Sequence, residues 1–250
     1  MDKRVAVITG ANRGIGYEIA RRLGAEGMKV VAASRDPAKG EAAVGRLRTG
    51  GADATFFHLD VTKDEDVKGL AKYVEANFGA ADVLVNNAGV LLDSKGSRLL
   101  DADQEIFRRT MEINFYGPLR MIQALAPGMR ERNYGRIVNL SSGLGQLTDM
   151  GSGTPAYRVS KSALNVLTRN LAADLAGTNV LVNSLCPGWV RSRLGQVRLV
   201  TGIGGVACRE VTVRQSRDCR LTTASSCQSA RLRWRRPGHR HGCAPPAADA

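Results

Sequence analysis

The chain has 250 residues, 43% hydrophobic and 24% charged, which is enough for one domain with an ample core. Its formal net charge is +13, from 36 Lys and Arg against 23 Asp and Glu, so it is no acidic protein. The absence of a secretory pattern, a long apolar span or an internal repeat argues against a helical membrane protein or a solenoid, and a soluble cytoplasmic protein is the expectation. In chain order, Val5-Ala6-Val7-Ile8 is a short apolar run with the look of a buried strand. It leads into Thr9-Gly10-Ala11-Asn12-Arg13-Gly14-Ile15-Gly16 and then a helical pattern through Ile19, Ala20 and Leu23. Glycines between a strand and a helix start let the backbone approach a pyrophosphate at the positive helix end. A tight turn rich in glycine is the bland alternative, but strand, glycines and helix in that order favour a nucleotide. The spacing Gly-x-x-x-Gly-x-Gly departs from the commoner Gly-x-Gly-x-x-Gly fingerprint.

Further strand-like runs occur at Lys29–Ser34, Ala54–Leu59, Asp82–Asn86, Arg136–Leu140 and Val180–Leu185, with helical patterns between them. This βαβ alternation predicts an α/β fold: a single doubly wound Rossmann-type domain whose mostly parallel sheet is flanked by helices. Such sheets bind ligands at the carboxyl ends of their strands, beside the topological switch point. Within a helical pattern, Tyr157-Arg158-Val159-Ser160-Lys161 places a phenol and an ammonium four residues apart, on one helix face. A nearby cation favours the phenolate and lowers the phenol's ordinary pKa near 10. That makes Tyr157 a candidate general acid or base.

Taken together, Thr9-Gly10-x-x-x-Gly14-x-Gly16, Asn86-Asn87-Ala88-Gly89, Asn114, Ser141-Ser142 and Tyr157-x-x-x-Lys161 closely resemble the short-chain dehydrogenase/reductase family. The match runs from about Arg4 to about Arg193. Pro155–Asn165 and Cys186-Pro187-Gly188-Trp189-Val190-Arg191 look like bacterial carbonyl-reductase-type members. The resemblance implies a hydride-transferring oxidoreductase that reduces a ketone or aldehyde, or oxidises the corresponding alcohol. It implies that Tyr157 exchanges the proton and that Lys161 lowers the Tyr157 pKa and holds the nicotinamide ribose. Ser142, in a Ser-x-x-Gly context, would stabilise the substrate carbonyl, and Asn114 would prop a relay water beside the lysine. Gly10, Asn12, Arg13, Gly14, Ile15 and Gly16 would cradle the cofactor phosphates. Asp60 and Val61 would flank the adenine, while Asn87, Ala88 and Gly89 line the floor, and Pro187, Gly188 and Val190 complete the cofactor set. Ser34 stands where the family's NAD-binding members usually have an acid. A hydroxyl beside the Arg13 and Arg35 guanidinium groups suits a 2′-phosphate, so NADP(H) is expected over NAD(H). The alternatives are that Asp36 supplies the acid one or two residues late, or that both arginines are merely solvated. No metal site is expected. Leu144, Leu147 and Trp189 suggest an apolar substrate pocket.

Beyond Arg193 the sequence changes character. Residues 194–250 hold ten Arg and three acids, so they carry seven of the thirteen net positive charges. They contain no Lys, Phe, Tyr, Asn or Met, but four of the five cysteines (Cys208, Cys219, Cys227, Cys243). Residues 1–193 are therefore expected to form the cofactor-binding and catalytic domain, and 194–250 a tail that is not a folded domain. An Arg-rich arm for nucleic acid and a cysteine-based metal or disulfide module are two explanations for the tail. Translation out of frame is the favoured third, because the missing residues are those with AT-rich codons. On that reading the family's last helix and strand are missing, an edge of the sheet lies open, and the product is aggregation-prone. The alternative function is then an inactive pseudo-reductase whose basic tail binds polyanions incidentally. No membrane and no specific nucleic acid is expected as a partner, and homo-oligomerisation is left open because relatives pair partly through the altered segment.

Overall fold

In the strand Val5–Thr9 (β1) every residue is buried. Val5 and Val7 enter one hydrophobic cluster while Ala6 and Ile8 enter another. A strand apolar on both sides belongs inside a sheet covered on both faces, as parallel sheets require. In the computed structural model, which describes residues 3–148 and 150–188, β1 indeed lies at the centre of such a sheet. It pairs in parallel with Lys29–Ser34 (β2) and with Val83–Asn86 (β4). Ala54–His58 (β3), Gly135–Leu140 (β5) and Val180–Leu185 (β6) complete the order β3-β2-β1-β4-β5-β6, with every pairing parallel.

Among the described residues six α-helices connect the strands: Gly14–Ala25 (α1), Pro37–Thr49 (α2), Asp64–Phe78 (α3), Gln104–Met111 (α4), Gly117–Glu131 (α5) and Pro155–Asp174 (α6). Leu70 of α3, Met121 and Met129 of α5 and Ala172 of α6 fill one face of the sheet. Ala20 of α1 and Val44 and Leu47 of α2 fill the other. The strand order reverses between β1 and β4, which opens the crevice where such folds bind ligands.

The strand boundaries depart from the sequence pattern by single residues, for local reasons. Asp82 precedes β4 because its carboxylate accepts the Val5 amide (2.8 Å) and so starts the ladder from a side chain. Between α4 and α5 the helix widens into a π-helical turn, Glu112–Tyr116, that buries Asn114 completely. The apolar periodicity carried no sign of this turn. Val190 and the tail from Leu194 onward lie outside the described residues, as does the expectation of a missing last helix and strand. Among the described residues no helix is long and apolar enough to cross a membrane.

Leu84, fully buried in β4 between the two halves of the sheet, is the natural probe of this core. Leu84→Ala should cost about 2–5 kcal/mol of unfolding free energy in urea titration, with an unchanged denaturant slope. A cost well under 1 kcal/mol would mean the sheet is not packed as described.

Candidate active site

The glycine loop is built by steric exclusion. Gly10 and Gly14 have φ of +66° and +58°, where a side chain is strained. A Cβ at Gly16 would lie 2.4 Å from Asn87 Nδ2 and 2.5 Å from the Gly10 carbonyl oxygen. Nothing lies within 4 Å of the corresponding point on Gly14, so the loop is tight on its protein side and open at its tip. The Gly14 end of α1 then presents backbone N–H groups to that open side.

A reciprocal knot joins this loop to the chain after β4. Thr9 Oγ1 accepts the amides of Asn87 and Ala88, both at 3.0 Å. Asn87 Nδ2 donates back to the carbonyls of Thr9 (2.8 Å) and Gly10 (3.2 Å). Asn87 thus shapes the floor by bonding backbone rather than by facing the crevice. Below it, Asn86 Nδ2 donates to Asn139 Oδ1, and Asn139 Nδ2 donates to Thr168 Oγ1, both at 2.9 Å. This buried chain ties β4 and β5 to α6.

The four candidate catalytic residues come from three places, Asn114 from the π-helical turn, Ser142 from the chain past β5, and Tyr157 and Lys161 from α6, and two of them, Asn114 and Lys161, close on Gly89. A Cβ added there would stand 3.3 Å from Asn114 Oδ1 and 3.6 Å from Lys161 Nζ. Asn114 Oδ1 accepts the Val90 amide (2.8 Å), and its Nδ2 donates to the Val90 carbonyl (2.9 Å) and Ser160 Oγ (3.0 Å). Both amide hydrogens are therefore engaged, and the side chain acts first as a strut between the π-helical turn, the chain after β4 and α6. Ser142 lies just past β5 and accepts the Leu144 amide (3.2 Å), and it also hydrogen-bonds the Tyr157 phenol. Ser141 instead is buried and donates to the Lys161 carbonyl (3.4 Å), so the two serines have different surroundings.

The electrostatics depart from the expectation at one point. Burial pushes the Tyr157 phenol above its ordinary pKa, and the Ser142 hydrogen bond opposes that only in part, with Cys186 adding to the rise. Lys161 does not offset it here. Its Nζ donates to the Leu140 carbonyl (2.7 Å) and stands 5.7 Å from the centre of the Tyr157 ring. Lys161 is itself buried, and that desolvation brings its pKa down from 10.5 to about 8. Sequence spacing places the pair on one face; it does not register that the ammonium turns toward a carbonyl at the end of β5.

The remaining cofactor candidates gather along the same edge. Ser34 ends β2, buried, and its hydroxyl has no hydrogen-bond partner among the described residues. Arg35 follows it directly in sequence, just past β2, and Arg13 lies in the glycine loop; both are exposed. Asp36 caps α2 by accepting the Lys39 amide (3.0 Å) and also pairs with the Lys39 ammonium, so the acid is already committed. Past β3, Asp60 Oδ1 accepts from the amide and hydroxyl of Thr62, and Val61 is buried against Gly117. A groove of about 390 Å³ opens there between Arg35, Thr62, Arg109 and Ile113. Asn12, Ile15 and Ala88 are half-buried at the crevice, and Pro187 and Gly188 are exposed just past β6. Leu147 is well exposed, so it lines no closed apolar pocket among the described residues, and Trp189 lies outside them. Three participants carried no signal in the sequence: Asp93, which accepts the Ala156 and Tyr157 amides; Ser160, which receives Asn114; and Cys186, whose sulfur accepts the Gly143 amide (3.1 Å). Each is an isolated residue whose partner is distant in sequence.

A parallel doubly wound sheet with an open glycine loop at its switch point, facing a Ser, Tyr, Lys and Asn cluster, defines a dinucleotide-dependent oxidoreductase. The short chain dehydrogenase family matches residues 4–199, and this chain belongs to it. It is 33% identical to (+)-neomenthol dehydrogenase of Arabidopsis thaliana, over 76% of this chain and 83% of that protein. It is 34% identical to a 3-oxoacyl-acyl-carrier-protein reductase of Staphylococcus epidermidis, over 75% of each. Among solved structures, an actinorhodin polyketide ketoreductase variant with NADPH superposes with a TM-score of 0.71 at 36% identity, over 76% of this chain and 72% of that one. A gluconate 5-dehydrogenase from Burkholderia cenocepacia in complex with NADP and tartrate gives 0.72 at 32% (78% and 75%). An NAD+-bound xylitol dehydrogenase gives 0.68 at 35% (74% and 70%).

The lowered Lys161 pKa has a sign that can be measured. Between about pH 8 and 10.5 the unfolded chain holds a proton on this lysine that the folded chain has released. Stability therefore gains from Lys161 as pH rises through that window, and loses that gain as pH falls through about 8. Lys161→Met should remove the dependence: relative to the parent it should be most favoured near pH 7 and least near pH 10 in parallel denaturant titrations. A difference that does not change with pH would contradict the burial of a titrating ammonium.

Proposed function

We propose that this chain is an NADP(H)-dependent reductase of a ketone or aldehyde, working in reverse as an alcohol dehydrogenase. The observation that carries the reading is the closing of Asn114 and Lys161 on the bare Cα of Gly89, with the Tyr157 ring next to Lys161 and Ser142 next to the Tyr157 phenol. A side chain at Gly89 would crowd Asn114 and stand against the Lys161 ammonium, so glycine keeps the approach to both open. Apart from Val190, the residues assigned to cofactor and proton transfer fall among those described, so the reading does not depend on the tail.

The residues present fit the cofactor. The backbone of Gly10–Gly16 and the start of α1 would hold its pyrophosphate, Asp60 and Val61 its adenine, and Lys161 its nicotinamide ribose. When bound, the cofactor supplies the hydride for the carbonyl carbon. Ser142 would hydrogen-bond the carbonyl oxygen and stabilise the charge that grows on it. Tyr157 would give its phenolic proton to that oxygen. A phenol held above its ordinary pKa remains fully protonated at neutral pH, which suits the reductive direction. Lys161, drawn off the Leu140 carbonyl by the ribose, would then favour the phenolate left behind. Asn114 keeps one lone pair of Oδ1 beyond its bond to Val90, and that is where a relay water would dock.

The preference for NADP(H) rests on Ser34. A buried hydroxyl without a protein partner is costly unless a ligand satisfies it, and a 2′-phosphate next to Arg13 and Arg35 would do so. Asp36, which could have received a ribose hydroxyl, is held by α2 and Lys39. Solved relatives carry NADPH, NADP and NAD+, so the choice is made by local residues rather than by the fold.

NADPH consumption should be seen spectrophotometrically against a panel of ketones and aldehydes, and Tyr157→Phe should lower it at least a hundredfold while NADPH still binds. Retention of turnover by Tyr157→Phe would remove the proton-donor assignment. Ser34→Asp with Arg35→Ala should weaken NADPH binding about 10- to 100-fold, the worth of a charge-assisted contact, and leave NADH binding equal or tighter. Equal losses for both cofactors would contradict the 2′-phosphate site.

A further inference from the structure

Helix α6 begins without a cap of its own. Its N-cap residue, Thr154, has a left-handed backbone (φ +46°) and makes no side-chain cap bond, and Gly153 before it is at φ +85°. Pro155 has no N–H to satisfy, so Ala156 and Tyr157 hold the first exposed donors of a 20-residue helix. Both are taken by one distant carboxylate. Asp93 Oδ1 accepts the Ala156 amide and Oδ2 the Tyr157 amide, each at 3.0 Å. The cap thus comes from a loop more than 60 residues upstream, and it grips the main chain of the candidate proton donor itself.

The same loop is gripped at its other end. Val90, three residues before Asp93, exchanges two hydrogen bonds with Asn114, which in turn bonds Ser160 of α6. The segment Val90–Asp93 therefore spans from the floor at Gly89 to the start of α6, and α6 is bonded at Tyr157 and again at Ser160. This closed circuit sets how far the Tyr157 phenol stands from Gly89. Charge agrees with geometry, because a carboxylate at a helix N-terminus meets the positive end of the dipole.

We propose that Asp93 is a positioning residue for the proton-transfer step: it fixes the backbone of Tyr157 against the cofactor floor without touching substrate or cofactor. The inference rests on the reading of Tyr157 as the proton donor. Asp93→Asn keeps one acceptor and turns an amino group toward the other amide, and Asp93→Ala removes both acceptors. Reach to the carbonyl is what these changes disturb, and misplacement of a reacting group by about 1 Å costs on the order of a hundredfold.

The test uses the full chain and four variants. Asp93→Asn and Asp93→Ala should lower kcat by about tenfold and about a hundredfold, while KM for NADPH changes by less than about threefold. Asp103→Ala is the control, since Asp103 caps α4 by accepting the Glu105 amide (2.8 Å) and belongs to no assigned site. It loses a helix cap, so at a comparable fall in Tm it should keep kcat within about twofold. Amide hydrogen exchange should also rise at Ala156 and Tyr157 in the Asp93 variants and stay unchanged there in Asp103→Ala. Equal losses of kcat in Asp93→Ala and Asp103→Ala would reduce Asp93 to a structural cap and overturn the inference. So would a kcat untouched by either Asp93 change while Tyr157→Phe is inactive. Turnover surviving in Tyr157→Phe, or absent from the unsubstituted chain, would instead overturn the proton-donor reading on which the inference stands.

Discussion

The exchange of hydrogen bonds between Thr9 and Asn87 is the constraint on which the rest of the site depends. Two strands that are neighbours in space but far apart in sequence, β1 and β4, end side by side where the strand order reverses. Left alone, their last backbone groups would have to be solvated, and the crevice would have no defined floor. The Thr9 hydroxyl takes two amides from the β4 side, and the Asn87 amide takes two carbonyls from the β1 side. One threonine and one asparagine thereby convert two chain ends into a rigid surface. Gly16 can then pack against Asn87, and Gly89 emerges next to Lys161 of α6.

From that floor, each further group is located by a small number of buried polar bonds. Asn114 transmits position from Val90 to Ser160; the Asn86, Asn139 and Thr168 chain ties the central strands to the same helix. Groups of this kind are costly when unpaired and specific when paired. Lys161 is the exception to easy satisfaction. It is buried with the Leu140 carbonyl as its hydrogen-bond partner, and its lowered pKa records the strain of holding a charge there. Such a lysine is poised for a ligand that offers it more acceptors than the protein does.

Much of this is legible in the sequence. The six strands followed from apolar runs and the glycine loop, because β propensity, alternation and glycine punctuation are local signals. Tyr157, Lys161, Ser142 and Asn114 stand out as candidates through their ordered motifs and their resemblance to the family. What remained invisible was long-range. Asp93 reads as a loop aspartate until α6 is laid against it, and the π-helical turn at Asn114 adds only a register shift to an ordinary helical pattern. The spacing implies a lowered Tyr157 pKa where burial raises it, since spacing tells which groups are near but burial decides which charge state each prefers. The family match itself reaches residue 199, close to the point where composition changes.

The central claim is that the glycine loop and the chain after β4 form one preorganised cofactor floor. Hydrogen exchange of the full chain with and without NADPH tests it most directly. The account predicts that the amides of Gly10–Gly16 and of Asn87–Val90 gain protection together and over the same range of NADPH concentration, and that Thr9→Val abolishes both gains. Protection confined to one of the two segments, or absent from both, would contradict it.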